Sequence, residues 1–340
     1  MTKVLILSVS GIGNTILQSP MINAILKRDF TTDILFKNKA LESVFEYDKR
    51  INKKYIIPKT NKEKLKLIKE LRKNRYDYTI ACFPSNKSEF NLLPFLIMAK
   101  KRIIHSYNID KLKTLSFLSN IKIKADKNLH DVDQNLNLLK LLNIDPEKEG
   151  KELIFNLGKD DEKYAEEFLK KNRLNKPIGI HPGCDKNQKY RRWPKEYFVE
   201  LINRLTKNNN ILLFAGPDEI EEVTWIYNNS SNKNKIFLIK EKNLNYVGAL
   251  IKRCKLLISS DSGLGHIAAA LKVHAFAIFG PAMASRTRPY GKYGHYISLG
   301  LPPTLKYPFY STSSKVKDEK QESLIKLKPD LVYEKINSFL

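Results

Sequence analysis

An α/β architecture of two Rossmann-like halves is what this sequence predicts, and three observations predict it. Short apolar runs rich in β-branched residues alternate with helical stretches from end to end, the order of β-α-β units that build parallel sheets with right-handed crossovers. The 340 residues fit two domains of about 150 residues each. A polar break, Asn175–Pro177, divides the alternation into two series.

In the first series the strands are Lys3–Val9, Asp33–Lys37, Lys54–Ile57, Tyr76–Phe83 and Arg102–Ser106. Helical periodicity places Thr15–Arg28, Lys39–Tyr47, Asn61–Arg75 and Ser88–Ala99 between them, with a further helix over Asp133–Leu142. Asp160–Asn172 is helical and leads to the break. The second series has strands Ile178–His181, Ile211–Ala215, Ile236–Ile239, Leu256–Ser260 and Ala275–Phe279. Its helices are Pro194–Thr206, Asp218–Tyr227, Leu244–Arg253 and Gly265–Leu271. Leu301–Ser323 is rich in Pro, Ser and Lys and reads mostly as loop, and Leu331, Ile336, Phe339 and Leu340 fit a short final helix. Two such halves imply two domains facing a central cleft: 1–158, a linker region 159–176, 177–310, and a tail 311–340 expected to pack back on the first domain.

Composition narrows the function classes. Sixty Lys and Arg against 36 Asp and Glu give a net charge of +24, while a 42% hydrophobic share fills real cores. No run approaches the roughly 18 apolar residues of a membrane span, and the apolar stretch after Lys3 is too short for a signal peptide. Cys82, Cys184 and Cys254 are widely spaced, which argues against a disulfide framework and a zinc site, so a cytoplasmic protein is expected. No zinc finger, RNA-recognition signature or basic run interleaved with aromatics occurs, which disfavours nucleic acid. The charge is clustered: from Asp48 to Arg75 twelve Lys and Arg face three acids, and Lys62, Lys64, Lys66, Lys69 and Lys73 surround Leu65, Ile68 and Leu71 at helical spacing. Such a helix is either a solvated face over a core stripe or a surface drawn to anionic lipid or phosphate.

Ligands of parallel sheets sit at the carboxyl ends of the strands, so the chemistry is sought in the turns there. The first is Ser10-Gly11-Ile12-Gly13-Asn14-Thr15, whose glycines let backbone approach a ligand at a helix start. As a dinucleotide fingerprint it fails, since Ile16 replaces the third glycine and Lys37 ends the second strand where an acid is needed. The second is His181-Pro182-Gly183 followed by Arg191-Arg192-Trp193-Pro194. Two guanidiniums at a strand end suit a diphosphate, although on spacing alone they equally flank a helix start. The third is Ser259-Ser260-Asp261-Ser262-Gly263-Leu264-Gly265-His266, which ends a buried strand and opens a helix. Free amides there favour an anion, Asp261 suits a ribose or sugar hydroxyl, and His266 suits a phosphate, against a plain capping Asp with a structural His. No Gly-x-Ser-x-Gly elbow exists, and Asp261, Ser262 and His266 are too close in sequence for a hydrolase triad.

Together these turns resemble glycosyltransferase family nine, the heptosyltransferases of lipopolysaccharide core assembly. Four segments carry the resemblance: Lys3 to Pro20, His130 to Ile144, His181-Pro182-Gly183 with Arg191-Arg192-Trp193-Pro194, and Asp261 to Leu271 followed by Phe279-Gly280-Pro281 and Arg286 to Gly291. They cover nearly the whole chain in order. The resemblance implies a GT-B fold, with the acceptor mainly in the first domain and the nucleotide-sugar donor, ADP-heptose favoured, mainly in the second. It implies inverting transfer without metal or other cofactor to an anionic lipid-linked core glycan; the Lys49–Arg75 cluster adds the expectation of peripheral, salt-sensitive contact with the inner face of the cytoplasmic membrane. Arg191, Arg192, Ser262, Gly263 and His266 then belong to the donor diphosphate, and Asp218 (or Glu219) and Asp261 to the nucleotide or sugar. Ser10, Gly11 and Gly13 form the first loop. The family's catalytic Asp follows the second glycine of that loop; here Asn14 stands in its place, and an amide accepts no proton at neutral pH. Asp131 and Asp133 are candidate substitutes. Tyr307–Lys317 replaces a Cys-rich segment of many relatives. A same-fold transferase with another donor or a protein acceptor, or a silent sugar-nucleotide-binding protein, are the competing readings.

Overall fold

The computed structural model describes residues 1–301 and 322–340. It divides into two compact units, Met1–Asn156 and Leu157–Leu340. The first holds β1 (Thr2–Ser8), β2 (Phe30–Phe36), β3 (Lys53–Ile56), β4 (Tyr78–Ala81), β5 (Lys101–Ser106) and β6 (Ile121–Lys124), in the sheet order β3-β2-β1-β4-β5-β6. The second holds β7 (Ile178–His181), β8 (Ile211–Phe214), β9 (Ile236–Ile239), β10 (Leu256–Ser260), β11 (His274–Ile278) and β12 (Gly294–Ile297), in the order β12-β11-β10-β7-β8-β9. Every pairing is parallel. Both sheets therefore have the Rossmann strand order, the first strand of each unit lying between its second and fourth.

A parallel strand in the middle of such a sheet is covered on both faces and reads as a continuous apolar run. β1 does so: Val4, Leu5, Ile6 and Leu7 are all buried, with Val4 in register with Thr32 of β2 and Tyr78 of β4. One core of the first unit gathers Leu5, Leu7, Leu35 and Ala81 with Leu71 of the helix Asn61–Lys73 and Phe90 of the helix Glu89–Leu96. Those two helices are neighbours. Asn61–Lys73 is capped by Thr60, whose hydroxyl oxygen accepts from the Glu63 amide, and it buries Leu71 alone; the lysine face is exposed. Beside it the exposed side chains Leu92, Phe95 and Leu96 recur at helical spacing, and Met98 comes next.

In the second unit the core runs from Ile178, Ile180, Leu213 and Ile258 on the strands to Phe198, Leu201 and Ile202 of the helix Lys195–Leu205. Val332 and Ile336 of the last helix, Pro329–Asn337, belong to this same core, and the Trp193 indole donates to the Leu327 carbonyl at 2.8 Å. The sequence reading sent the tail to the first unit; its described part is built into the second, because those apolar residues close the layer over Lys195–Leu205. The segment read as a linker is likewise part of the second unit, since the helix Lys159–Lys171 packs on the helix Leu244–Lys252 with Tyr164 and Tyr246 stacked at 4.2 Å. Tyr307–Lys317 lies outside the described residues.

Candidate functional site

In the second unit the strand order reverses between β7 and β10, and the loops at their carboxyl ends meet there. β7 ends in His181. The ring's Nε2 lies 2.8 Å from Glu219 Oε2, and its Nδ1 lies 2.9 Å from the Ser262 hydroxyl. Glu219 Oε2 also accepts from the Gly216 amide at 2.9 Å. A chain of contacts thus runs from the end of β8 through the end of β7 to the loop after β10. Burial works against ionisation of Glu219, but the hydrogen bonds from His181 and the Gly216 amide and nearby Arg192 outweigh it and hold the carboxyl below its ordinary value. Ser260 ties the same loops from below, its hydroxyl donating to the Pro182 carbonyl at 2.6 Å and accepting from the Trp193 amide at 3.3 Å.

The helix Gly263–Ala270 opens directly after Ser262. Ser262 occupies the cap position, yet its side chain does not cap the helix; it is turned to His181. The first-turn amides lack that usual side-chain acceptor, which leaves a helix start suited to an anion. Gly265 lets this helix lie close to β10, for a β-carbon there would come within 3.1 Å of the Ser259 hydroxyl. Asp261 is buried and is bound by Arg191, Nε donating to Oδ2 at 2.7 Å and the Nη2 group also pairing with it. Burial pushes the Asp261 carboxyl up, and Arg191 opposes that. Arg191 keeps 20% of its side chain exposed.

Sequence reasoning gave both arginines to one ligand, and the structure separates them. The Arg192 guanidinium faces inward, ion-paired with Glu222 and donating to the Cys184 carbonyl at 2.9 Å. It is a strut of the loop, and Arg191 is the cation on the open side. Asp218 is exposed and stands apart from the contacts around His181, whereas its neighbour Glu219 is buried within them. His266 is buried in the first turn of the helix after Ser262. His181 was visible in the sequence only as part of His-Pro-Gly; its position as the last residue of β7 was the available signal.

The first unit has its own switch point between β1 and β4. Ser8 at the end of β1 donates to Gln18 Oε1 at 2.5 Å, Gln18 donates to the Phe83 carbonyl at 3.0 Å, and the Phe83 amide donates to Asn135 at 2.9 Å. These buried polar links join both strand ends to the helices Ile12–Leu26 and Asp131–Asn137. Gly11 is the cap residue of the first helix, exposed, and the Ser10 hydroxyl reaches the Pro84 carbonyl at 3.4 Å. Gly13 and Asn14 lie in the first turn of that helix, half-buried. Neither candidate substitute is a free carboxylate: Asp133 pairs with Lys151 at 3.0 Å, and Asp131 is buried at the helix start. Among the described residues no group of three His, Cys, Asp or Glu is placed to hold a metal, and no helix is long and apolar enough to cross a membrane.

The sequence profile of glycosyltransferase family 9 (heptosyltransferase) matches residues 64–309. Lipooligosaccharide heptosyltransferase 2 of Campylobacter jejuni serotype O:6 is 28% identical over 304 residues, covering 85% of this chain and 84% of its own length. Lipopolysaccharide heptosyltransferase 2 of Escherichia coli K12 is 28% identical over 169 residues, a shorter match covering 48% of this chain and 47% of that protein. Among solved structures, E. coli ADP-heptose lipopolysaccharide heptosyltransferase II superposes with a TM-score of 0.77 at 20% identity, over 99% of this chain and 98% of that one. An E. coli heptosyltransferase with ADP-2-deoxy-2-fluoro heptose superposes at 0.68 and 18% identity over 100% of both chains. The two Rossmann-like units are those of a GT-B glycosyltransferase, and the chain belongs to glycosyltransferase family 9, the heptosyltransferases of lipopolysaccharide core assembly.

Proposed function

We propose that the switch point of the second unit binds the nucleoside diphosphate of ADP-heptose, and that the chain transfers the heptose, with inversion and without a metal, to a core glycan on a lipid carrier. The observation that carries the reading is the arrangement around Asp261: the guanidinium of Arg191, whose side chain is one-fifth exposed, beside a helix start that Ser262 leaves uncapped. When an acceptor oxygen attacks the anomeric carbon, the bond from that carbon to the diphosphate breaks and negative charge develops on the leaving group. A fixed cation and oriented amides stabilise that charge without reorganising. The relatives' names and the ADP-sugar bound to one structural neighbour favour this donor.

The acceptor is assigned to the first unit, whose loop Ser10–Asn14 lies at its switch point. Asn14, half-buried in the first turn of Ile12–Leu26, is assigned to the acceptor side of that loop. Peripheral contact with the inner membrane is assigned to the lysine face of Asn61–Lys73, now with the apolar ridge Leu92–Met98 beside it. Titration calorimetry with ADP in the presence of a chelator tests the donor site, and release of ADP from ADP-heptose on adding core acceptor tests the transfer. A protein that binds no ADP under these conditions overturns the assignment.

A further inference from the structure

The contact between His181 and Ser262 fixes where the serine proton points. Glu219 is held ionised, so it accepts only, and the hydrogen on the His181 ring must lie on Nε2, facing it. In the neutral ring Nδ1 is then a lone pair. The Ser262 hydroxyl, 2.9 Å away, donates its proton to Nδ1 and presents oxygen lone pairs to the open side. Ser262 is the cap residue of the helix start that, with Arg191, would receive a diphosphate, and a phosphate oxygen there needs a donor.

We infer that His181 is a positioning residue that takes up one proton as the diphosphate docks, reversing the Ser262 hydrogen bond so that the hydroxyl donates to the phosphate. The inference rests on the donor reading above and assigns a further residue to that site. The balance is simple. One N–H bond forms at Nδ1 with a proton from solvent, the imidazolium donates to Ser262 Oγ and to Glu219, and the serine O–H turns outward; no electrons are exchanged. Imidazole is the side chain that gains a proton near neutral pH.

The surroundings suit the change. From the end of β8 the ring faces the Glu219 carboxylate; Arg192, 4.0 Å from the other oxygen of Glu219, is paired with Glu222. From the loop after β10 it faces Ser262, next to Asp261 with Arg191. On its own loop Cys184 lies three residues on, its thiol pushed up to about 11 by burial and so neutral. One carboxylate touches the ring directly, both nearby arginines have acidic partners of their own, and the incoming diphosphate adds negative charge on the serine side.

The experiment is ADP titration calorimetry of the whole protein at pH 7 to 9, in buffers of differing ionisation enthalpy. For the native protein the apparent heat tracks the buffer's ionisation enthalpy with the sign of proton uptake, and affinity falls with rising pH by up to about tenfold per unit, the limit for one linked proton. His181→Gln keeps an amide donor for Glu219 but takes up no proton, so the dependence drops to that of ADP itself. Ser262→Ala keeps the imidazole and removes the hydroxyl that must turn, with the same result. Full proton uptake in Ser262→Ala overturns the relay, as does a native protein whose affinity for ADP is no more pH-dependent than that of His181→Gln. A native protein that binds no ADP at all overturns the donor reading and this inference with it, whereas binding without linked uptake overturns this inference alone.

Discussion

Glu219 fills the space that a side chain on residue 183 would need: a β-carbon built on Gly183 overlaps its carboxylate. The glycine of His-Pro-Gly is therefore a packing requirement of the acid that holds His181. Gly183→Ala is expected to cost about 1–3 kcal/mol through overpacking and to displace Glu219. Thermal unfolding and ADP titration check it; a variant with native Tm and native ADP affinity would show that the carboxylate moves aside freely.

Arg191 and Arg192 should separate in experiment as they do in space. Arg191→Ala is expected to weaken ADP binding by about 1.5–3 kcal/mol, the range for a hydrogen bond to a charged group. Arg192→Ala leaves Glu222 and the Cys184 carbonyl without their partner and is expected to lower Tm more than Arg191→Ala does. The reverse ranking in both calorimetry and melting would place Arg192 at the ligand.

The family resemblance drawn from the sequence puts a catalytic base at the position of Asn14. Asn14→Asp is nearly isosteric, and a positioned general base contributes roughly 100- to 10,000-fold. The substitution is expected to raise turnover on the correct acceptor at neutral pH and to leave ADP affinity unchanged. Steady-state ADP release checks this; a fast native enzyme slowed by the change would mean that the amide itself orients the acceptor.

The acid limb of stability should carry the mark of His105. Its ring is buried, with Nε2 3.1 Å from the Gln134 carbonyl, and burial lowers its pKa from 6.5 to about 4, against that carbonyl's pull. The unfolded chain therefore binds the proton first. Stability is complete above about pH 6.5 and falls as pH drops towards 4, by about 3 kcal/mol over the window. His105→Gln is expected to flatten that part of the profile in urea unfolding from pH 7 to 4; an unchanged slope would assign the acid limb to other groups.

Membrane contact is expected in two parts. Lysines of Asn61–Lys73 contribute about 1 kcal/mol each near an anionic surface, screened by salt. Phe95 and Leu96, exposed on the neighbouring helix, contribute a part that salt does not remove. Sedimentation with phosphatidylglycerol vesicles should show binding that falls, incompletely, with salt. Phe95→Ser with Leu96→Ser should abolish the remainder, and native binding that vanishes entirely at high salt would leave the ridge no role.

The succession of central strands along the chain and the placing of the three motif turns were legible because their signals are local: apolar runs for central strands, small and polar residues where those strands end. β6 and β12 carry no such signal. Each is a four-residue edge strand, and Ile121–Lys124 alternates with lysine while Gly294–Ile297 begins in glycine and histidine. Within the site, adjacent residues of like chemistry were not separable by type. Asp218 and Glu219 differ in burial, and Arg191 and Arg192 in the side to which the backbone turns them, both set by contacts distant in sequence. The last helix showed its apolar stripe, but nothing local names the partner of such a stripe.

That helix also bears on when the protein takes shape during synthesis. Met1–Asn156 is a finished unit by itself, so its folding can proceed while the ribosome is still translating the second unit. The second unit has to wait: Leu324, Leu327, Val332 and Ile336 plug the layer against Trp193, and until they leave the exit tunnel the Arg-Arg-Trp-Pro turn lacks its support. From the emergence of Trp193 until that of the last helix, the nascent chain therefore displays an open apolar surface around Trp193, where a chaperone that reads exposed aromatic and aliphatic side chains would find its footing.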